Sequence, residues 1–181
     1  RLIMTRRSNF ITGLLAMLAA ALLAAALAPA AGAAAKDGPP SEVRFATFNA
    51  SLNRFNAGDL AAELSAPGSP QPDVIAEVSQ RTRPDVVLIT EFDYDSGVVA
   101  ATGFQQNYLS VAHGDADPIV YPYVYQAPSN TGIPSGRDLD KNGIIGGPGD
   151  AFGFGFFPGQ YGMLVLSQHP IDTANVRTFQ N

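Results

Sequence analysis

The sequence predicts an α/β domain, and three stretches carry that expectation. Val43-Arg44-Phe45-Ala46-Thr47-Phe48-Asn49 is β-branched and aromatic with a single charge, the pattern of a strand buried on much of both faces. Residues 74–83 read as an amphipathic helix, and Asp85-Val86-Val87-Leu88-Ile89-Thr90-Glu91 follows at once as a second apolar strand. A strand, a helical crossover and another strand make a β-α-β unit whose strands lie parallel and side by side. Composition agrees: 46% of the 181 residues are hydrophobic and 15% charged, enough to build a core.

Before the first strand the chain reads as a leader. Met4-Thr5-Arg6-Arg7-Ser8-Asn9 is a short basic start, Phe10 through Ala28 is uncharged and rich in Ala and Leu, and Pro29 leads into Ala33-Ala34-Ala35. That order is the order of a secretory signal peptide, so residues 1–35 are expected to be cleaved within Ala33 to Lys36 and the protein to be secreted or held in the cell envelope. Nineteen uncharged residues lie near the lower end of the roughly 17–25 that span a bilayer. Alanine is only weakly apolar, however, and Pro29 followed by small residues suits cleavage better, so no stable membrane span is expected afterwards.

Residues 36–42, with Gly38-Pro39-Pro40, form a linker that no helix crosses. The domain is expected over 43–181, with Val43–Asn49 as its first central strand. Asp59 caps a short helix over 60–64, and Ala66-Pro67-Gly68-Ser69-Pro70 breaks the chain. Asp73 caps the next helix: Val74, Ile75 and Val78 share a face, Glu77 and Arg81 form an i,i+4 pair, and Pro84 closes it. Further on, 104–108 reads as helical, Tyr121–Tyr125 as a strand near a sheet edge because of Pro122, and Met163–Leu166 as a strand. Between Pro128 and Gly162 runs a loop dense in Gly, Pro and Asp, of a length that marks function or disorder.

Charge and composition narrow the chemistry. There is no cysteine, which excludes disulfides, zinc-thiolate sites and thiol nucleophiles. Three of the 11 basic residues (Arg1, Arg6, Arg7) lie in the leader and none of the 16 acids does, so residues 36–181 carry a net charge of −8. Such a surface repels polyanions, and a phosphate-bearing substrate is met favourably only with a cation between.

In an open α/β sheet ligands gather beyond the carboxyl ends of the strands, where Asn49 and Glu91 fall. A carboxylate and an amide carbonyl are hard donors suited to Mg²⁺, Mn²⁺ or Ca²⁺. The plainer reading makes Asn49 a turn opener and Glu91 an exposed charge. The loop segment Asp138-Leu139-Asp140-Lys141-Asn142-Gly143-Ile144-Ile145 matches the first two-thirds of an EF-hand calcium loop. Position 12 is Gly149 and Asp150 comes one residue late, so Asp138, Asp140 and Asn142 stand either as part of a Ca²⁺ site that needs another ligand or as an ordinary turn. The aromatic residues Phe152, Phe154, Phe156, Phe157 and Tyr161 are expected to pin this loop to the core, with a lipid- or base-contacting rim as the other reading.

The segments Arg44-Phe45-Ala46-Thr47-Phe48-Asn49, Arg83-Pro84-Asp85-Val86-Val87-Leu88-Ile89-Thr90-Glu91 and Tyr161-Gly162-Met163-Leu164-Val165-Leu166-Ser167-Gln168-His169-Pro170-Ile171 resemble successive motifs of the endonuclease/exonuclease/phosphatase superfamily. That superfamily includes DNase I-like nucleases, abasic-site nucleases, sphingomyelinases and inositol-phosphate phosphatases. The resemblance covers about residues 43–177 and implies the N-terminal half of a four-layer α-β-β-α sandwich that hydrolyses phosphate esters by metal-assisted attack of water. It implies that Glu91 binds Mg²⁺ or Mn²⁺ and that Asn49, beside it, orients the phosphate or the nucleophile. The family's later Asp-x-Asn and Asp-His motifs are expected beyond Asn181, so this chain alone is expected to hydrolyse little, and His113 and His169 are expected not to be catalytic. The substrate is then a nucleic acid, a phospholipid or a small phosphate ester, and no protein partner is evident. The alternative is an exported non-catalytic binding module that uses the Gly-rich loop, with or without calcium, as its contact surface.

Overall fold

The computed structural model describes residues 42–179. The expected leader, and the linker apart from Glu42, lie outside the described residues. The strands are β1 (Phe45–Asn49), β2 (Val86–Thr90), β3 (Tyr123–Tyr125) and β4 (Met163–Ser167), in one sheet of order β1-β2-β4-β3. The helices are α1 (Asp59–Leu64), α2 (Pro70–Thr82) and α3 (Val99–Phe104), the last running into a π-helical turn, Gln105–Leu109. β1 and β2 are parallel, as a helical crossover requires, while β4 runs antiparallel to both β2 and β3.

The register sorts the apolar residues onto one face. Ala46, Val87, Leu166 and Val124 form one row across the four strands, and Phe48, Ile89 and Leu164 the next. These side chains meet Leu60, Leu64, Ile75, Ala76, Ala101, Phe104 and Tyr108 in a single core. The opposite face, carrying Phe45, Thr47, Leu88, Val165, Met163 and Tyr125, has no helix layer among the described residues, and Phe45 is 73% exposed. The described residues therefore make a mixed α/β domain of one sheet with helices on one side; a four-layer sandwich is not formed by these residues alone. The expectation of a first strand central and buried on both faces is corrected. β1 is an edge of this sheet, and only Ala46 and Phe48 of it turn toward the core.

Helix α2 begins at Pro70 rather than after Asp73. Proline fits the first helical position because its fixed φ suits the helix and its missing N–H has no intrahelical partner there anyway. Its buried stripe is Pro72, Ile75, Ala76, Ser79 and Gln80, so Val74 and Val78 face solvent. A glutamine takes a core position because both hydrogens of its amide nitrogen are used, although its Oε1 is buried without a partner: Gln80 Nε2 donates to the Leu109 carbonyl at 2.9 Å and to that of Val111 at 2.6 Å. The Glu77–Arg81 pair forms, and Arg81 also reaches Asp115. Between α1 and α3 the spacing rests on Gly103, where a Cβ would stand 2.5 Å from the Leu64 carbonyl oxygen.

The long loop after Pro128 is ordered by its own backbone. Gly132 N–H bonds to Gly153 O at 2.8 Å, Phe152 N–H to Ile133 O at 2.9 Å and Ser135 N–H to Asp150 O at 3.0 Å, so its two legs pair.

Candidate active site

Parallel pairing aligns Asn49 with Thr90, which brings Asn49 and the next residue, Glu91, together at the carboxyl end of the sheet. Asn49 Nδ2 donates to Glu91 Oε1 at 2.8 Å. The other end of the amide is taken as well, since Asn49 Oδ1 accepts the Ser51 N–H at 3.1 Å. Two more donors reach the second carboxylate oxygen: Ser51 Oγ lies 3.3 Å and Asn53 Nδ2 3.2 Å from Glu91 Oε2. Three polar side chains at every second position, starting from the last residue of β1, thus converge on one carboxylate.

The backbone is strained where they meet. Ser51, Glu91 and Tyr161 take positive φ of 51°, 56° and 57°. Non-glycine residues persist in that region at a cost of roughly 1–3 kcal/mol each only where surrounding contacts over-determine them. Here Asp93 does much of the holding. It is 5% exposed, its carboxylate accepts the N–H of Arg54 at 2.6 Å and of Tyr161 at 3.1 Å, and its own N–H donates to Leu52 O at 3.0 Å. Burial pushes the Asp93 carboxyl above its ordinary range, against the pull of those two amide bonds. Arg54 spreads the clamp: its guanidinium bonds Glu63 at 2.5 Å and Gln71 Oε1 at 3.1 Å, and its carbonyl accepts from Gln160 Nε2 at 2.7 Å. The Arg54 guanidinium in turn holds the Glu63 carboxyl below its usual range.

Asp138 and Asp140 belong to a separate cluster. One carboxylate oxygen of each, and one of Asp150, lie within 4.8 Å of one another. Asp150, the acid one residue past the EF-hand end position, is buried and accepts from the N–H groups of Gly146 at 2.7 Å and Leu139 at 2.6 Å; these bonds draw its carboxyl below the usual range. Asn142 turns its amide nitrogen to Asp140 Oδ2 at 3.0 Å, and its Oδ1 accepts the Ile144 N–H at 2.8 Å.

The aromatic loop does not sit as expected. Phe152, Phe154 and Phe156 are exposed; Phe154 packs on Phe156 and Tyr161, and Phe156 on the still more exposed Phe55, with ring centroids 5.7–6.1 Å apart. What pins this loop is polar: Gln160, 2% exposed, takes the Phe156 N–H on its Oε1 while its nitrogen holds Arg54. Among the described residues neither histidine bonds to Asn49 or Glu91. His113 Nε2 pairs with Tyr108 O at 3.0 Å, and its Nδ1 stands 3.8 Å from Asp73; the His169 Nε2 is buried without a partner.

Sequence reasoning missed Ser51, Asn53 and Asp93. The signal for the first two is the polar alternation Asn49, Ser51, Asn53 directly after a strand, which places the three on one side if the chain stays extended. For Asp93 no signal in the sequence distinguishes it from an exposed acid.

A protein-family model described as the Endonuclease/Exonuclease/phosphatase family matches residues 46–181, and the chain belongs to that family. No curated protein and no solved structure matches it. The family is one of phosphoesterase-type hydrolases.

Proposed function

We propose that this chain is an exported, divalent-cation-dependent phosphoesterase domain working through Glu91 and Asn49. The observation that carries the proposal is the 2.8 Å contact between these two side chains at the carboxyl ends of adjacent parallel strands. The donor set fits Mg²⁺ or Mn²⁺. Glu91 is a partly exposed carboxylate, and hard cations of this kind are commonly held by one or two carboxylates with water completing the shell. When bound, the cation offsets phosphate charge and polarises the ester, which the −8 charge of residues 36–181 makes necessary.

The chain's own residues supply placement. Asn49 Nδ2 has a second hydrogen that no hydrogen bond among the described residues takes, and it is available to a phosphate oxygen or to the attacking water. The Arg54, Asp93 and Gln160 network holds the flanking loop in place before substrate arrives, so little reorganisation is required during reaction. Export rests on the leader pattern, and N-terminal sequencing of the exported form is expected to start within Ala33 to Lys36; an intact Met4 overturns it.

The test of the chemistry is hydrolysis of duplex DNA, sphingomyelin and a simple phosphodiester by the protein as its gene encodes it, with Mg²⁺ or with chelator. Chelator-sensitive turnover of one of these, reduced at least about a hundredfold by Glu91→Gln, is expected. Chelator-insensitive turnover, or full activity in Glu91→Gln, overturns the assignment.

A further inference from the structure

We propose that Asn53 is a positioning residue for Glu91, which together with Ser51 saturates Oε2 and leaves Oε1 as the single oxygen that takes the cation. This rests on the reading of Glu91 as the cation ligand. A carboxylate offers about four lone-pair sites, two on each oxygen. Oε2 spends both, on Ser51 Oγ at 3.3 Å and Asn53 Nδ2 at 3.2 Å, whereas Oε1 spends one, on Asn49 Nδ2 at 2.8 Å. The remaining site is the second lone pair of Oε1. Glu91 therefore binds through one oxygen, with its rotation about the last side-chain bond blocked.

Of the two donors on Oε2, Asn53 is the one held in place. Ser51 is exposed and its hydroxyl makes the longer of the two contacts, whereas Asn53 is half-buried between two anchored neighbours. Leu52 is fully buried and its carbonyl accepts the Asp93 N–H, while the Arg54 N–H is held by the Asp93 carboxylate. The carbonyl of Asn53 itself accepts from Arg54 Nη1 at 2.7 Å. An amide nitrogen cannot ligate a cation, so the contribution of this group is to hold the ligand. The loop is fixed by Leu52, Arg54 and Asp93, and among the described residues the side chain of Asn53 hydrogen-bonds only to Glu91. Its removal therefore disturbs Glu91 and spares the fold.

The experiment measures Mn²⁺ binding by calorimetry in a background carrying Asp140→Ala, which removes a ligand of the second acidic cluster, with thermal melting of every variant. Asn53→Ala is expected to weaken Mn²⁺ binding about tenfold, in line with loss of a group that supports a metal ligand, with melting unchanged. Asn53→Gln keeps the amide on a longer stem and is expected to recover part of that loss. Should Asn53→Ala melt early, Asn53→Leu restores the volume without the donor and gives the same reading. If Glu91→Gln binds Mn²⁺ as the parent does, the reading of Glu91 as ligand fails. If Glu91→Gln abolishes binding while Asn53→Ala and Asn53→Leu bind as the parent, Glu91 stands and the positioning role of Asn53 is overturned.

Discussion

Arg54 joins more of the candidate site than any other residue. Its main chain is held by Asp93 and Gln160 and its guanidinium by Glu63 and Gln71, so the loop bearing Asn53 is tied to α1, α2 and the segment before β4. The Glu63 carboxylate is largely shielded, with its side chain 27% exposed, and the bond to Arg54 is charge-assisted. Replacing Glu63 with Gln is expected to cost about 1 kcal/mol at neutral pH. Because the folded-state value is depressed, this contribution is present above the ordinary glutamate range and is lost as pH falls through the lower folded value. Urea unfolding of wild type and Glu63→Gln should therefore show a gap near pH 7 that narrows as pH falls below the ordinary glutamate range. A gap that persists in acid would assign the loss to packing instead.

At the scale of elements, the site is the product of one pairing. Had β1 and β2 been antiparallel, Asn49 and Glu91 would lie at opposite ends of the sheet; the crossover through α1 and α2 makes them neighbours. The loop from Pro128 to Gly162 builds its cluster differently, by folding back until Asp150 stands against Asp138 and Asp140. Three carboxylates within 4.8 Å repel one another unless a cation or backbone amides intervene, and for Asp150 the amides do part of this. Weak Ca²⁺ binding, with a dissociation constant on the order of 10⁻⁴–10⁻³ M, is expected by calorimetry and is expected to vanish in Asp140→Ala. Identical flat traces for both proteins would leave the segment an ordinary turn.

For the whole described domain, the uneven treatment of the two sheet faces matters most. One face is sealed by α1, α2, α3 and the π-helical turn; the other leaves Phe45, Tyr123 and Met163 exposed beside half-buried Leu88, Val165 and Tyr125. Residues Val176 and Phe179 only partly line the groove over that face. β1 is also an edge strand, with one side free of strand pairing among the described residues. An apolar face and an open edge together favour association between copies. Residues 36–181 are expected to sediment as concentration-dependent oligomers, and Phe45→Lys is expected to shift them toward monomer. Monomeric behaviour of the unmodified protein at high concentration would refute this.

Local pattern was sufficient for the elements whose chemistry is local. The apolar runs at 45–49, 86–90 and 163–167 are strands, Pro84 follows the end of α2, and the helical crossover between β1 and β2 accounts for the parallel pair that joins Asn49 to Glu91. A period of two says which residues share a face but not which face is covered, so the exposure of Phe45 was invisible until the helices were placed. The same limit misassigned α2, where Val74 and Val78 appear as apolar as Ile75, while Gln80 is buried because the carbonyls of Leu109 and Val111, some thirty residues later in the chain, are there to receive it. Asn53 and Asp93 owe their roles to partners 38 to 68 residues away, and Asp150 in part to Asp140, 10 residues away. Hydrogen bonds across such distances exist only once tertiary packing has brought the loops together, so the sequence determined the strands and the pair at their ends, and the fold alone decided what holds that pair in place.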